Sequence, residues 1–337
     1  MIKTDIIIIG AGPVGLFAVF EAGLMKLKCH VIDAIPIPGG QLSEIYPKKP
    51  IYDIPGFPSI LAGELIDNLM KQASPFKPGF TLGERAESIV KKKNGEFVVT
   101  TNKGTRHIAP IIFIAGGLGS FEPRKPKIDN IEYFEDKGVN YFVKEPSLFK
   151  EKKIFISGGG DSALDWAIYF AENFKNNVGL IHRSDFFRAH NDSVLKMQNL
   201  CKKGKISLYT NSEVISLNGN NFLESIVVKN SDGNTSKYFL DCWLPLFGLS
   251  PKLGPISNWD LEIEKNAIKV DNTLDYQTNI EGIFAIGDVN TYPGKLKLIL
   301  CGFHEATLAV QSAYKIINPT KKVVLKYTTV QGIKGFD

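Results

Sequence analysis

The sequence predicts an α/β fold made of two domains, one of which is inserted into the other. Three observations lead to this prediction: a glycine-rich turn at residues 10–15, a second one at residues 158–163, and an apolar strand that ends in Gly287 and Asp288. Each turn lies between an apolar strand and a helical stretch, which is typical of a Rossmann-like dinucleotide-binding domain. The 337 residues are enough for two domains that each bury a core.

The predicted elements around the two turns follow the order strand, helix, strand. They cover residues 5–9, 16–25 and 28–32 for the first turn, 154–157, 164–174 and 177–181 for the second, and a further strand at 283–286.

The first turn reads Gly-Ala-Gly-Pro-Val-Gly, and the strand after its helix leads to Asp33. Gly10 permits the tight turn, Gly12 lets the backbone approach a pyrophosphate, and Gly15 lets the helix pack closely on the strand. The N–H groups at the start of the helix attract the anion. Asp33 can accept hydrogen bonds from a ribose diol. The first turn therefore predicts a dinucleotide site.

The second turn reads Gly-Gly-Gly-Asp-Ser-Ala, and the strand after its helix ends differently from the first. Basic residues stand where an acid would hold an unmodified ribose, and a guanidinium pairs well with phosphate oxygens. We therefore expect this site to prefer NADPH over NADH, although arginines that merely face solvent after a strand are an alternative interpretation. The expected NADPH-binding residues are Gly158, Gly160, Ala163, His182, Arg183 and Arg188.

Asp288 indicates which dinucleotide binds at which turn. Its carboxylate, at the end of the last buried strand, can bond hydroxyl groups of a flavin ribityl chain, which requires the chain to return to the first domain. We therefore expect residues 1–117 and 248–337 to form a split FAD domain, the latter with a C-terminal extension over the flavin, and residues 118–247 to form an inserted NADPH domain. Glycine-rich joints at 115–119 and 247–251 are candidate hinges.

Composition and charge exclude several other classes of protein. The net charge of +5 is modest, and the short lysine groups are not the basic tail of a nucleic-acid-binding protein. No apolar run approaches the length of a membrane span, and we expect a cytoplasmic protein. The four cysteines are scattered, without a CxxC pair or metal-ligand spacing, so we expect isolated buried thiols and no metal site.

Taken together, these motifs resemble the pyridine nucleotide–disulfide oxidoreductase superfamily, in the small form of the low-molecular-weight thioredoxin reductases. The resemblance rests on GAGPVG, PGGQL, GGGDSALDWA, HRSDFFRAH and GIFAIGDV. Thioredoxin reductases carry a redox-active CxxC just before the second glycine turn, where residues 137–146 here contain no cysteine. The chain is therefore more similar to the cysteine-free ferredoxin–NADP⁺ reductases of the same fold, which also share PGGQL and the stretch at 51–57.

The resemblance implies a set of site residues. Tyr52 stacks on one face of the flavin ring, and Tyr327, in the C-terminal extension, covers the other face, with Phe336 of the same or a partner subunit as an alternative. The resemblance implies FAD contacts for Asp33, Gln41, Tyr46, Ala86, Phe121, Asp288 and Thr329, besides Gly10, Gly12 and Gly15 of the turn.

The resemblance also implies the activity: hydride transfer from NADPH to FAD, followed by single-electron transfer to ferredoxin or flavodoxin. The mild positive charge suits such acidic carriers, and the relatives imply a homodimer. Alternatives are a thioredoxin-reductase-like disulfide reductase with an unusually placed thiol, a reductase of quinone or another acceptor, and a non-enzymatic flavin redox sensor.

A helix predicted to open at residues 302–306 adds one more candidate. The resemblance directs the start of this helix towards the flavin, where its dipole stabilises an anionic ring. His304 is then either a catalytic residue or a packed or capping histidine, and the sequence favours the second interpretation.

Overall fold

The structure is a computed structural model that describes residues 1–119, 122–174, 178–250, 252–321 and 328–336. The chain forms two compact units. The first unit comprises Met1–Phe121 and Pro251–Asp337, and the second comprises Glu122–Ser250. The fold is a two-domain α/β fold with a parallel sheet in each unit and one unit inserted into the other. The units divide after residues 121 and 250, whereas the domain limits expected from the sequence fall after residues 117 and 247.

The first unit is built on a five-stranded parallel sheet, here called the first sheet. Its strands are apolar runs because both faces of a parallel sheet are covered; all four residues of Ile6–Ile9 are buried. Ile112 pairs with Ile283, so a strand from the C-terminal part of the chain completes the sheet. In spatial order the strands are Ile283–Ala285, Ile111–Ile114, Ile6–Ile9, Cys29–Asp33 and Gly79–Leu82.

Helices of the first unit pack on the first sheet and on one another. The helices are Pro13–Leu24, Gln41–Glu44, Ala62–Ala73, Ile299–Ile317 and Thr328–Gln331, with 3-10 turns at Ser74–Phe76, Gly254–Asn258, Asn272–Leu274 and Gly287–Val289.

Three smaller sheets complete the described part of the first unit. A mixed sheet holds Ile2–Lys3, Arg106–Ala109, Phe97–Thr101 and Ala86–Lys91; a three-stranded sheet holds Ile263–Glu264, Ala267–Lys269 and Asn290–Thr291; and Pro50–Ile51 pairs with Ile60–Leu61.

The second unit repeats the same plan with fewer strands. A four-stranded parallel sheet, here called the second sheet, has the order Ile206–Tyr209, Val178–Ile181, Ile154–Ser157 and Cys242–Pro245. The remaining elements are the antiparallel strands Ser212–Asn218, Ser225–Asn230 and Thr235–Phe239, the paired strands Glu122–Pro123 and Leu249–Ser250, the helices Asp161–Asn173 and Asn191–Lys202, and 3-10 turns at Ile131–Phe134 and Pro146–Phe149.

Helix starts are where the sequence-based expectations were least accurate. The helix expected over 16–25 begins at Pro13, because proline fits the first turn of a helix, where its missing N–H costs nothing. The helix expected to open at residue 302 begins at Ile299, so that expectation was wrong by one turn. No helix within the described ranges is long and apolar enough to cross a membrane.

Candidate functional site

The first glycine turn is closely packed on its inner side and open on its outer side. A Cβ atom on Gly10 would lie 2.4 Å from the carbonyl oxygen of Ala115, and one on Gly15 would lie 2.0 Å from the carbonyl oxygen of Gly10. A Cβ atom on Gly12 meets nothing within 4 Å. No side chain caps the helix that begins at Pro13, so its N-terminus is available to an anion.

Asp33 lies directly beside this turn. Its Oδ2 atom accepts the backbone N–H of Ala11 at 2.6 Å, and its Oδ1 atom accepts that of Ile35 at 2.9 Å. Burial raises the pKa of the carboxyl group, while these two hydrogen bonds oppose the shift. The bonds hold the carboxyl group at the turn, where a ribose diol is expected.

The PGGQL segment folds against the same turn. The N–H of Gly39 donates to the carbonyl oxygen of Ala11 at 2.8 Å, and a Cβ atom on Gly40 would lie 3.3 Å from the Cα atom of Gly12. Gln41 is the first residue of the short helix that follows, and its Nε2 atom lies 3.8 Å from where a Cβ atom on Gly117 would be. Gln41 is thereby brought to the first turn.

Asp288 reaches the same place from the C-terminal part of the chain. It lies in the 3-10 turn after the strand Ile283–Ala285, and a Cβ atom on Gly287 would lie 3.3 Å from the side chain of Val14. Burial, with the charge of Asp288 as a second cause, raises the pKa of Tyr46 to about 12. The charge of Asp288 therefore acts on Tyr46, which comes from a different segment of the first unit.

Two other candidate residues occupy different surroundings. Ala86 is buried at the start of a strand, two residues beyond Glu84, whose N–H donates to the carbonyl oxygen of Asp33 at 3.1 Å. The side chain of Tyr52 is 71% exposed just after the strand Pro50–Ile51. An exposed ring of this size is available to stack on a flat ligand.

The C-terminal extension is only partly described. Thr329 is exposed in a short helix, whereas Phe121 and Tyr327 lie outside the described residues. Phe336 donates its N–H to the carbonyl oxygen of Pro75 at 2.9 Å, and its ring lies 5.9 Å from that of Phe76.

The position of Phe336 bears on the choice of flavin-covering residue. Its ring lies 5.4 Å from Lys26 Nζ, just past the C-terminal end of the helix Pro13–Leu24. The glycine turn is at the other end of this helix, about 18 Å away at 1.5 Å per residue. In this structure, Phe336 therefore lies near the end of the helix that is opposite the glycine turn.

The second glycine turn shows the same contrast between inner and outer sides. A Cβ atom on Gly158 would lie 2.6 Å from the carbonyl oxygen of Leu246, and one on Gly159 would lie 2.1 Å from the ring of His182. A Cβ atom on Gly160 meets nothing within 4 Å, and no side chain caps the helix that begins at Asp161.

His182 packs beneath the second turn. Its ring is buried, and its Nε2 atom bonds the carbonyl oxygen of Phe186 at 3.0 Å. Burial lowers its pKa, and the charges of Arg183 and Arg188 lower it further. The neutral ring therefore packs against the turn at Gly159. The sequence did not suggest this role.

Arg183 and Arg188 stand at the same turn with exposed side chains. The N–H of Arg188 donates to the carbonyl oxygen of Gly159 at 2.8 Å, which fixes this residue next to the turn. Within the described ranges, neither guanidinium forms an ion pair with a carboxylate. Two unpaired cations beside a phosphate-binding turn are suited to a ligand that carries an additional phosphate.

Residues 4–313 match the sequence model of the family described as pyridine nucleotide-disulphide oxidoreductase. The chain belongs to the pyridine nucleotide-disulphide oxidoreductase family. Full-length relatives within this family are very similar to it. A protein of Flavobacterium johnsoniae named ferredoxin--NADP reductase is 67% identical over 100% of this chain and 96% of its own length. One from Christiangramia forsetii, named ferredoxin--NADP reductase 1, is 64% identical with the same coverage.

Solved structures of thioredoxin reductases share the fold of this oxidoreductase. The Lactococcus lactis thioredoxin reductase in its FR conformation is 27% identical with a TM-score of 0.78, covering 94% of this chain and 99% of that one. The T. acidophilum thioredoxin reductase is 24% identical with the same coverage and has a TM-score of 0.81. At this identity, the similarity shows a shared fold and not a shared function.

The cysteines of this family member are all unpaired. Cys29 and Cys242 are buried, and Cys201 and Cys301 are half-buried. Burial raises the pKa of the Cys29 and Cys242 thiols, the latter to about 12, which leaves them unreactive at neutral pH. The expectation of isolated buried thiols is confirmed for these two residues, whereas Cys201 and Cys301 are partly accessible.

This oxidoreductase also contains a buried charged group that was not expected from its sequence. Glu305 is fully buried in the helix Ile299–Ile317, and its Oε1 atom lies 2.5 Å from Lys295 Nζ. A signal was present, because Glu305 shares a helix face with the small residues Gly302 and Ala309. A carboxylate on such a face requires hydrogen-bond donors around it. His304, by contrast, is exposed at the sixth position of the same helix, so it is neither packed nor a cap.

Proposed function

We propose that the protein is a FAD-dependent ferredoxin–NADP⁺ reductase, which passes electrons between NADPH and the one-electron carrier ferredoxin. The observation that carries this function is the identity of 64–67% with full-length relatives that bear this name. The geometry agrees with it, because the two units each present an open glycine turn whose neighbouring charges differ in sign.

The first turn fits FAD. The Asp33 carboxylate accepts hydrogen bonds from ribose hydroxyl groups. The pyrophosphate lies in the open space outside Gly12, at the uncapped start of the helix. Gln41, Tyr46 and Asp288 bind the flavin half, because they converge on the same turn from separate segments. Ala86 borders the adenosine half, since its strand begins beside Asp33. Phe121 and Thr329 complete the proposed set by resemblance alone.

The second turn fits NADPH. Gly158, Gly160 and Ala163 let the backbone approach the pyrophosphate, and Arg183 and Arg188 pair with the phosphate on the adenosine ribose. His182 acts beneath the turn and keeps its backbone in place. The first turn, with a carboxylate at the corresponding position, repels such a phosphate.

The flavin supplies the redox chemistry, and the protein binds and positions the reacting groups. A bound flavin accepts two electrons as hydride and releases them one at a time. Tyr52 supplies an aromatic face on one side of the ring, and Tyr327 is proposed for the other side. The chain needs no acid–base triad for this reaction, because holding the reacting groups in place is the main contribution that it makes.

The cysteine positions favour a carrier of single electrons over a disulfide substrate. Residues 137–146 contain no cysteine, and the two most buried thiols have raised pKa values. A reduced flavin therefore has no dithiol through which to reach a disulfide. Ferredoxin is the proposed carrier and flavodoxin a second one; both are acidic, which suits a chain of net charge +5.

The oligomeric state and the cellular location of the protein are also proposed. A homodimer in the cytoplasm, without nucleic-acid or membrane partners, is proposed from the resemblance and the composition. Light scattering during size-exclusion chromatography tests the dimer, for which we expect twice the mass of the chain.

The function is tested by NADPH-dependent cytochrome c reduction with and without added ferredoxin, alongside a parallel assay with thioredoxin and a disulfide dye. We expect a yellow protein whose rate depends on ferredoxin and which is inactive in the disulfide assay. A rate indifferent to ferredoxin would move the function to a quinone or another acceptor. A colourless protein that cannot be reconstituted with FAD would reject the flavoprotein assignment.

A further inference from the structure

Glu305 lies at the centre of a buried polar cluster that no part of the proposed reaction uses. Its Oε2 atom accepts the N–H of Gly287 at 2.7 Å and the Nδ2 atom of Asn290 at 2.9 Å. Its Oε1 atom accepts the hydroxyl group of Tyr292 at 2.8 Å and Lys295 Nζ at 2.5 Å. The Gly287 and Asn290 groups and Lys295 can only donate, which calls for a side chain that only accepts, namely an ionised carboxylate.

Lys295 closes the cluster from the other side. Its side chain is only 6% exposed, and its Nζ atom also donates to the carbonyl oxygen of Gly287 at 2.9 Å. Both polar groups of the Gly287 main chain are therefore held, the N–H by Glu305 and the C=O by Lys295 together with the N–H of Asn290. The next residue along the chain is Asp288.

The cluster also reaches the first glycine turn through packing. A Cβ atom on Gly287 would lie 3.3 Å from the side chain of Val14, and one on Gly302, in the helix that carries Glu305, would lie 3.3 Å from the Cα atom of Gly287. A side chain larger than a hydrogen atom therefore does not fit at Gly302, between its helix and the 3-10 turn at Gly287. A shift of Glu305 would therefore move the main chain that leads to Asp288.

A buried ion pair is seldom retained for stability alone. The free energy of removing two charges from water is comparable to their attraction, and apolar replacements are often as stable. The pair here bonds both main-chain polar groups of Gly287, which precedes a carboxyl group that the proposed FAD site uses. We propose that Glu305 and Lys295 are positioning residues for FAD, which fix Gly287 so that Asp288 meets the ribityl hydroxyl groups.

Asp288 shares the electrostatics of the pair. Burial raises its pKa, the charge of Lys295 lowers it, and the charge of Glu305 raises it. Lys295, which bonds Glu305, and Lys297 thus both oppose the effect of the Glu305 charge on Asp288. This inference rests on FAD binding at the first turn, as in the proposed function, but not on the identity of the electron acceptor.

The variants Glu305→Gln, Lys295→Met and the double variant test the proposal, with Tyr292→Phe as a matched control. Tyr292 contacts Glu305 but not Gly287, so its loss leaves both bonds to Gly287 intact. For each variant, the apoprotein is unfolded in urea, and its FAD affinity is measured by flavin fluorescence quenching. Neither measurement requires turnover or an acceptor protein.

Each single variant leaves a buried polar group without its partner, so we expect a lower urea midpoint together with weaker FAD binding. In the double variant the midpoint recovers, because no uncompensated charge remains, but FAD affinity stays about tenfold or more below that of the wild type, equivalent to about 1.4 kcal/mol. Tyr292→Phe keeps its FAD affinity within about twofold of the wild type, since the bonds to Gly287 remain.

The proposal is overturned if the double variant binds FAD as the wild type does, or if FAD affinity follows the urea midpoint across the wild type and all four variants. The double variant decides the matter even where a single variant fails to fold. A wild-type protein that binds FAD but does not reduce ferredoxin would reject the proposed function and leave this inference standing.

Discussion

The Oδ2 atom of Asp33 accepts the N–H of Ala11 across 2.6 Å, so the acid at the end of one strand closes the glycine turn at the end of its neighbour. Asp33→Ala removes this bond and the proposed ribose contact together. Hydrogen bonds to charged groups contribute about 1.5–3 kcal/mol, so we expect FAD affinity to fall about ten- to hundredfold. Fluorescence titration of the apoprotein measures it. Asp33→Asn, which keeps one acceptor oxygen, serves as the milder control, and wild-type affinity in Asp33→Ala would contradict the assignment.

Gly160→Ala and Gly159→Ala separate ligand binding from folding at the second turn. A methyl group on Gly160 meets no protein atom within 4 Å, whereas one on Gly159 collides with His182. We expect Gly160→Ala to keep the wild-type Tm and to raise the KM for NADPH and NADH alike, about tenfold, because both carry the pyrophosphate. Gly159→Ala should lower the Tm. Unchanged KM values in Gly160→Ala would show that no pyrophosphate approaches this turn.

Arg183→Ala should discriminate between the two nicotinamide cofactors. The guanidinium is exposed and unpaired among the described residues, so its removal costs the fold little. Loss of a charge-assisted bond to the additional phosphate should raise the KM for NADPH about ten- to hundredfold and leave that for NADH nearly unchanged. Steady-state kinetics with each cofactor measure both values. Equal changes for the two cofactors would mean that Arg183 does not bind the phosphate.

Tyr52→Ala should alter the flavin without altering the fold. Because Tyr52 is 71% exposed, we expect the free energy of unfolding of the apoprotein in urea to stay within about 0.5 kcal/mol of that of the wild type. Loss of a stacked ring should weaken FAD binding by about 0.5–1.5 kcal/mol and shift the visible absorption bands. An unchanged spectrum and affinity would remove Tyr52 from the site; Tyr52→Phe, which keeps the ring, is the control.

His30 and His107 should make the protein less stable in mild acid. Both are buried and share the hydroxyl group of Thr81, with the two Nε2 atoms 2.8 and 2.9 Å from its oxygen. Burial, and then His107, lowers the pKa of His30 to about 4, and burial also lowers the pKa of His107. The unfolded chain therefore binds more protons between about pH 4 and 6.5, and stability falls as the pH drops through that range.

Urea unfolding at several pH values tests this expectation. The free energy of unfolding should have its full value above about pH 6.5. Near pH 4 it should be lower by about 1–3 kcal/mol, since each pKa unit corresponds to about 1.4 kcal/mol. His30→Gln places an amide near the Thr81 hydroxyl group but cannot be protonated, so its curve should be flatter. A variant curve as steep as that of the wild type would assign the acid sensitivity to other groups.

Local spacing was enough to predict both glycine turns. Gly158 directly follows its strand and Gly160 directly precedes its helix, and the strand expected at 154–157 is the observed Ile154–Ser157. Such features depend on neighbours in the chain, which a sequence displays directly. Helix starts were less accurate, because the expected starts followed the apolar pattern and omitted the first turn of each helix.

Contacts between distant segments could not be read in the same way. His182 was expected to bind NADPH, and its packing against Gly159, where a Cβ atom would collide with its ring, was not foreseen. Phe336 docks near Lys26, at the opposite end of the chain. The partners of Glu305 come from a loop whose path is fixed only once the helix packs on the first sheet. These positions depend on tertiary packing, which overrides local preference.

The pairing of Ile112 with Ile283 has a consequence for how the chain is made. A ribosome releases the chain from its N-terminus, so the strand at 111–114 emerges long before the partner that covers its edge. Domains generally fold as units during synthesis, and all of Glu122–Ser250 is available before residue 283 leaves the exit tunnel. The inserted unit can therefore fold during translation while the strand at 111–114 still lacks the partner at its edge, and an unpaired apolar edge of this kind is a site at which chains aggregate.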